Sequence, residues 1–132
     1  MIAVDTSALM AIVLGEPQAD ACSEALKHGG HLVISATTVG ECLIVAGRRN
    51  LTEAMDILLQ GLDLTVTPVF EADVRRAAEA YALWGKGVHP ASLNLGDCFA
   101  YALAKAQDCP LLYVGDDFAQ TDILGVEFGT GT

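Results

Sequence analysis

A chain of 132 residues makes one domain, long enough for a real core and too short for two. Its net charge of −10, from 17 acids against 7 Lys and Arg, disfavours promiscuous nucleic-acid binding, which shows as a basic surplus, but does not exclude a specific substrate. Hydrophobic residues make up 52% of it and the mean hydropathy is +0.42, yet its longest apolar run, residues 8–14, falls well short of the roughly 20 residues that cross a bilayer.

The surplus of apolar residues fits either surface buried against a partner or an Ala-rich core. No basic n-region or cleavage-like site opens the chain, so no signal peptide is expected, and the expected location is cytoplasmic. Cys22, Cys42, Cys98 and Cys109 form no CxxC pair and read as reduced core residues. His28, His31 and His89 are scattered without metal-ligand spacing.

Residues 2–4 are a short apolar run stopped by Asp5, the pattern of a buried strand. Asp5, Thr6 or Ser7 can each cap the helix predicted over 8–14. Asp5 therefore stands at the carboxyl end of a strand, where open α/β sheets bind ligands. Pro17 suits the first turn of a second helix to about Leu26, ended by Gly29 or Gly30. Residues 31–34 read as the second strand. Ser35 then caps a helix over 36–48 with Val39, Leu43 and Ala46 on its inner face.

Thr52 caps a helix over 53–62, and residues 64–69 make the third strand. A helix over 71–84 follows, with Val74, Ala77, Ala78, Tyr81 and Leu83 as its buried side. Residues 85–90 are a loop. Asn94 caps a regular helix over 95–107, residues 111–114 form the fourth strand, and residues 126–128 a last edge strand. One domain over 1–128 is expected, with 129–132 a disordered tail. Strands separated by helices imply a parallel sheet covered on both faces.

That topology brings four acidic positions to one sheet edge. Asp5 follows the first strand, Glu41 lies two turns into the helix after the second, Asp97 sits in the first turn of the helix capped by Asn94, and Asp116 and Asp117 follow the fourth strand. Asp97 could be the acid of a capping box, and Asp116 and Asp117 could be turn residues. Glu41 is harder to dismiss, because it lies on a largely apolar helix with no Lys or Arg one turn away. Converging carboxylates repel one another unless a cation joins them. Oxygen donors without His or Cys suit Mg2+ or Mn2+, and such a metal can activate water against a phosphodiester.

Several ordered motifs carry a family resemblance. They are the run 4–9 (Val-Asp-Thr-Ser-Ala-Leu), Glu41 within 38–42 (Thr-Val-Gly-Glu-Cys), the run 94–104 (Asn-Leu-Gly-Asp-Cys-Phe-Ala-Tyr-Ala-Leu-Ala), and the run 115–118 (Gly-Asp-Asp-Phe) followed by Thr121-Asp122-Ile123. The loop 86–91 (Lys-Gly-Val-His-Pro-Ala) fits the same pattern. Together they resemble the PIN-domain ribonucleases, specifically the VapC toxins of toxin–antitoxin pairs.

The resemblance implies a PIN-like three-layer α/β/α fold with a central, mostly parallel sheet of about four or five strands. It implies an endoribonuclease in which Asp5, Glu41, Asp97 and one of Asp117 or Asp116 hold one or two Mg2+ or Mn2+ ions. In-line attack on phosphorus by activated water would leave a 5′-phosphate and a 3′-hydroxyl. Thr6, Ser7 and Asn94 would orient the site, and Asp117 is the preferred fourth acid. Arg48, Arg49, Lys86 and His89 are the candidates for RNA contact. A structured tRNA or rRNA substrate, a homodimer, and a VapB-like antitoxin forming a heterotetramer or larger complex are implied, with no membrane role. A PIN-fold interaction module with weak catalysis, or an RNA-processing nuclease outside such a pair, is the alternative. A haloacid-dehalogenase-type phosphatase is set aside, because Ser7 stands where its second Asp is needed. A receiver domain is set aside for want of paired acids near the first strand and a late Lys.

Overall fold

The computed structural model describes residues 1–127. Strands β1 (Ile2–Val4), β2 (Leu32–Ser35), β3 (Leu64–Thr67) and β4 (Leu111–Leu112) form a sheet in the order β3-β2-β1-β4. Every pairing is parallel, with Ala3 opposite Val33 on one side and Leu111 on the other. Parallel neighbours need crossover connections, and these are helical. Helices α1 (Thr6–Leu14) and α2 (Ala19–His28) join β1 to β2, and α3 (Ala36–Arg48) and α4 (Thr52–Gly61) join β2 to β3. Helices α5 (Glu71–Trp84) and α6 (Leu95–Ala106) then return the chain past β1 to β4. The strand order reverses beside β1, so the crevice beyond the β1 and β4 carboxyl ends is the sheet's natural ligand position.

Side chains alternate across the sheet with the period of two that a strand imposes. Ile2, Val4, Leu32, Ile34 and Leu112 pack with Leu9, Cys22, Leu26, Cys42 and Met55 in one core. Ala3, Val33 and Leu111 pack with Leu93, Cys98, Tyr101, Ala104 and Phe118 in the other. The two cores make the three-layer α/β/α architecture that the PIN-like expectation required. All four cysteines are buried and unpaired, as expected of core residues. No helix among the described residues is long and apolar enough to cross a membrane.

Several expected faces and ends differ. The buried stripe of α3 is Thr38, Cys42 and Ala46, while Val39 is only half-buried and Leu43 is exposed. On α5 the buried residues are Ala77 and Ala80, leaving Val74, Ala78, Tyr81 and Leu83 exposed. Small residues on α5 and on α6 (Ala100, Ala104) share one core, which selects the alanine stripe over the bulkier flanks. Strand β3 ends at Thr67, before Pro68, because proline cannot donate to the ladder. The helix start at residue 52 has Leu51 as its cap position, without a side-chain bond from Thr52 to its own first turn. Helix α2 begins at Ala19 after Gln18, with Pro17 just outside it.

At the other end, Val114 leaves the β4 ladder because its N–H donates to Ser7 Oγ at 3.0 Å. The predicted last strand is a single bridge, Leu111 to Gly125, held by Leu111 N to Leu124 O and Val126 N to Leu111 O. Phe128 and the tail 129–132 lie outside the described residues.

Candidate active site

The junction of β1 and α1 sets the first carboxylate. Asp5 is extended at φ −96° and ψ 156°, which ends the strand and opens the helix. Its Oδ2 accepts from the Ser7 amide at 3.0 Å and from Ser7 Oγ at 2.7 Å. Its own N–H donates to Leu112 O at 3.0 Å. With Ser7 Oγ also accepting from Val114, the ends of β1 and β4 are laced together through one side chain. The cap of α1 is thus Asp5 itself, rather than Thr6 or Ser7, because only Asp5 precedes the first helical residue with an acceptor in reach.

Capping uses one oxygen. Asp5 is 2% exposed, and its Oδ1 is buried without a hydrogen-bond partner. Burial pushes its carboxyl up to about 7; the bonds from Ser7 pull against this, and the nearby charges of Asp97 and Glu41 add to it. An orphaned carboxylate oxygen in such a place is costly as an anion and is compensated by protonation or by a cation.

Glu41 reaches this junction from α3. Its Oε1 accepts from Thr6 Oγ1 at 2.6 Å, and Thr6 Oγ1 in turn accepts from the Cys42 thiol at 3.7 Å. Its other carboxylate oxygen lies against Gly96 in the first turn of α6. The half-buried glutamate on an apolar helix thus has its partner in a hydroxyl from another element, which no local pattern reveals.

Asp97 and Asn94 form the expected capping box: Asn94 N donates to Asp97 Oδ2 at 2.9 Å, and Asp97 N donates to Asn94 Oδ1 at 2.8 Å. Burial pushes the Asp97 carboxyl up to about 6, against the Asn94 amide and with the negative charges of Glu41 and Asp117. Cap and site carboxylate are the same residue here, as at Asp5.

Asp116 and Asp117 diverge. Asp117 is the one whose charge is felt at Asp97, and it precedes the 3-10 turn Phe118–Gln120. Asp116 lines a cavity with Gln18, Tyr113, Val114, Gly115 and Val126. Arg48 and Arg49, at the far end of α3, are exposed. Lys86 is exposed in the loop after α5, whereas His89 is half-buried, accepts from Ala91 N through Nδ1 at 3.0 Å, and meets the Trp84 ring edge-on at 4.8 Å. His89 therefore has a structural role in its loop.

One network escaped the sequence reading. Tyr101 donates to Asp122, Trp84 Nε1 donates to Tyr101 at 3.1 Å, and Lys105 pairs with Asp122 at 2.9 Å. It binds the segment after Asp117 to α6. A lone Tyr on an apolar helix resembles core, and nothing local couples it to position 122.

The arrangement suits a hard divalent cation by its donors, all oxygens, with an orphaned Oδ1 and two carboxyls that burial and neighbouring negative charge raise above the usual carboxylate range. Among the described residues no group of three His, Cys, Asp or Glu side chains is already drawn close enough to hold one. Asp5, Glu41 and Asp97 instead each take a hydroxyl or amide of their own, as repelling anions do.

Comparison with known proteins yields one consistent group. The family model described as PIN domain matches residues 2–124. Ribonuclease VapC42 of Mycobacterium tuberculosis is 43% identical over 124 residues, 91% of this chain and 95% of that protein. Ribonuclease VapC28 of the same organism is 41% identical over 91% of this chain and 93% of its own length. Among solved structures, M. tuberculosis VapC20, described as a sarcin-ricin loop cleaving toxin, aligns at a TM-score of 0.77 and 16% identity over 96% of this chain and 99% of that one. A toxin–antitoxin complex from Klebsiella pneumoniae aligns at 0.71 and 17% identity over 96% and 97%. At those identities the structures speak to the fold.

Proposed function

The chain belongs to the PIN-domain family, among the VapC ribonucleases, and from that premise we propose that it is a Mg2+-dependent endoribonuclease toxin acting on a structured RNA. The observation that carries the metal dependence is Asp5, a fully buried carboxylate with one oxygen unpartnered, facing Glu41 and Asp97. Asp5, Glu41, Asp97 and Asp117 would hold the cation, with Mn2+ as a substitute. A cation there supplies Lewis acidity toward a phosphodiester and an activated water.

This chain's own residues do the positioning. Ser7 holds Asp5 and the β4 end in one register, Thr6 holds Glu41, and Asn94 holds Asp97. Helix α6 adds its amino-terminal dipole, which favours anionic groups there.

For RNA, the chain offers few bases. Lys27, Arg75, Arg76 and Lys105 already face acids, while Arg48, Arg49 and Lys86 have no such ion pair among the described residues. So small a complement favours a folded RNA recognised by shape, in the tRNA or rRNA class, over a long single strand held by charge. Lys86, next to the His89 loop, and the two arginines are the phosphate contacts in this reading.

An antitoxin of VapB type is the expected inhibitor. The groove lined by Ile12, Leu26, Leu58 and Leu62 suits an apolar segment, and the charge of −10 suits a basic arm. Homodimerisation, with a heterotetramer or larger assembly on antitoxin binding, completes the proposal; exposed Ile44 and Ile57 are apolar surface available for such contacts.

The test is cleavage of total RNA by the wild type, Asp5→Ala and Asp97→Asn, each with Mg2+ and with a chelator. Metal-dependent cleavage by the wild type alone is expected. Equal behaviour of all three proteins would end the ribonuclease assignment of this site. Growth arrest on expression, relieved by a small neighbouring protein, separates a toxin from an RNA-processing nuclease.

A further inference from the structure

Resting on that reading, we propose that Gly96 is a positioning residue: its missing side chain makes the seat in which the Glu41 carboxylate stands beside Asp97. A Cβ built on Gly96 would fall 2.1 Å from Glu41 Oε2, 2.7 Å from Cδ and 3.0 Å from Oε1. Real Cβ atoms do not approach so closely. The carboxylate is therefore confined on two sides, by Thr6 Oγ1 at 2.6 Å and by the bare backbone of α6.

The backbone does not require glycine here. Gly96 is the second residue of α6 and its φ lies outside the left-handed region, so Ala fits the backbone there. What the position needs is the close approach. Among the described residues two other glycines are as crowded, but by the fold itself: a Cβ at Gly85 would meet Tyr81 O at 2.3 Å, and one at Gly29 would meet Ile2 Cδ1 at 2.3 Å and Ala25 O at 2.7 Å. At Gly96 the obstacle is the far end of a flexible side chain. An added methyl is accommodated by moving that carboxylate, so the fold survives and the site does not.

Gly40 is the natural control. It adjoins Glu41 on α3 and is also helical, but a Cβ there meets nothing within 4 Å. A methyl at 40 leaves Glu41 in place, and a methyl at 96 drives it off Thr6 and away from the amino end of α6.

The experiment compares the full-length wild type, Gly96→Ala and Gly40→Ala by thermal denaturation, by calorimetric titration with Mn2+ alone, and by a metal-free crystal structure of Gly96→Ala. Expected are a Tm at or above wild type for Gly40→Ala and at most a few degrees below it for Gly96→Ala, a loss of Mn2+ affinity of about 10- to 100-fold for Gly96→Ala only, and a Glu41 carboxylate no longer bonded to Thr6. Wild-type affinity in Gly96→Ala, or an intact Thr6–Glu41 bond in its structure, overturns the proposal. So does a large fall in Tm accompanying the loss of affinity, which would make Gly96 a packing residue. If the wild type itself binds no Mn2+, the metal reading fails, and the metal-free structure still decides the role of Gly96.

Discussion

The hydroxyl of Thr6 donates to Oε1 of Glu41 at 2.6 Å across a separation of 35 residues. This bond joins the first turn of α1 to the middle of α3 and holds a half-buried carboxylate toward the ends of β1 and β4. Thr6→Val keeps the volume and removes the donor. It is expected to cost about 1–3 kcal/mol, the range for a hydrogen bond to a charged group whose partner is then stranded. RNA cleavage should fall with it, and Thr6→Ser should restore both. Chemical denaturation and a cleavage assay on the three proteins decide this; a Thr6→Val protein as active as the wild type would count against the positioning role.

The Asp5 carboxyl, raised from 3.8 to about 7 by burial, makes a stability prediction with a definite sign. Between these values the folded state holds more protons than the unfolded one, so metal-free stability falls as pH rises from about 4 to about 7 and levels off above. Asp5→Asn keeps an acceptor for Ser7 and removes the charge. In chelator at pH 8 it should be more stable than the wild type, by on the order of 4 kcal/mol given about 1.4 kcal/mol per pKa unit. Near pH 4 the difference should vanish. The same variant should cleave no RNA.

Metal binding should follow the same protons. A cation must displace them from Asp5, at about 7, and from Asp97, at about 6. Mn2+ affinity measured calorimetrically should therefore be lower at pH 6 than at pH 8, and proton release on binding should be greater at pH 6. Identical affinity at both values would mean that neither carboxyl is a ligand.

Asp117 and Asp116 should separate cleanly. Asp117 is electrostatically coupled to Asp97, while Asp116 lines a cavity beside Tyr113 and Val126. Asp117→Asn is expected to lower kcat by roughly tenfold or more, as losing an outer oxygen of a metal site does, with Asp116→Asn near wild type. The reverse ranking in a single-turnover assay would exchange their roles.

Arg48 and Arg49 lack acidic partners among the described residues and sit on one exposed helix end. If they hold phosphate, replacing both with Ala should raise KM, spare kcat and lower the slope of log affinity against log salt by roughly 2. An unchanged salt slope would mark them as solvated charge.

Local order was legible from the chain because its causes are local. An apolar run stopped by Asp5 needs only its neighbours to end as a strand, and Asn94 with Asp97 three residues on carries its capping box within one turn. Face choice was not legible in the same way. Val39 and Leu43 on α3, and Val74 and Leu83 on α5, satisfy helical periodicity as well as the residues that are buried. The stripe that wins is the one the opposing layer can meet: Cys42 and Ala46 in one core, Ala77 and Ala80 in the other.

By itself, then, the sequence determined that Asp5 ends a strand and that Glu41 and Asp97 lie on helices joining strands of one parallel sheet, since strand and helix periods and caps act over a few residues. It determined the family too, through motifs kept in order along the chain. Only the tertiary structure decided that Asp5 remains the cap of its own helix, that the charge of Asp117 helps raise the Asp97 carboxyl, and that Glu41 rests between Thr6 and Gly96. Each of these is a contact or a field between segments far apart in the chain, fixed by how closely two packed elements approach, and no window of neighbouring residues contains that distance.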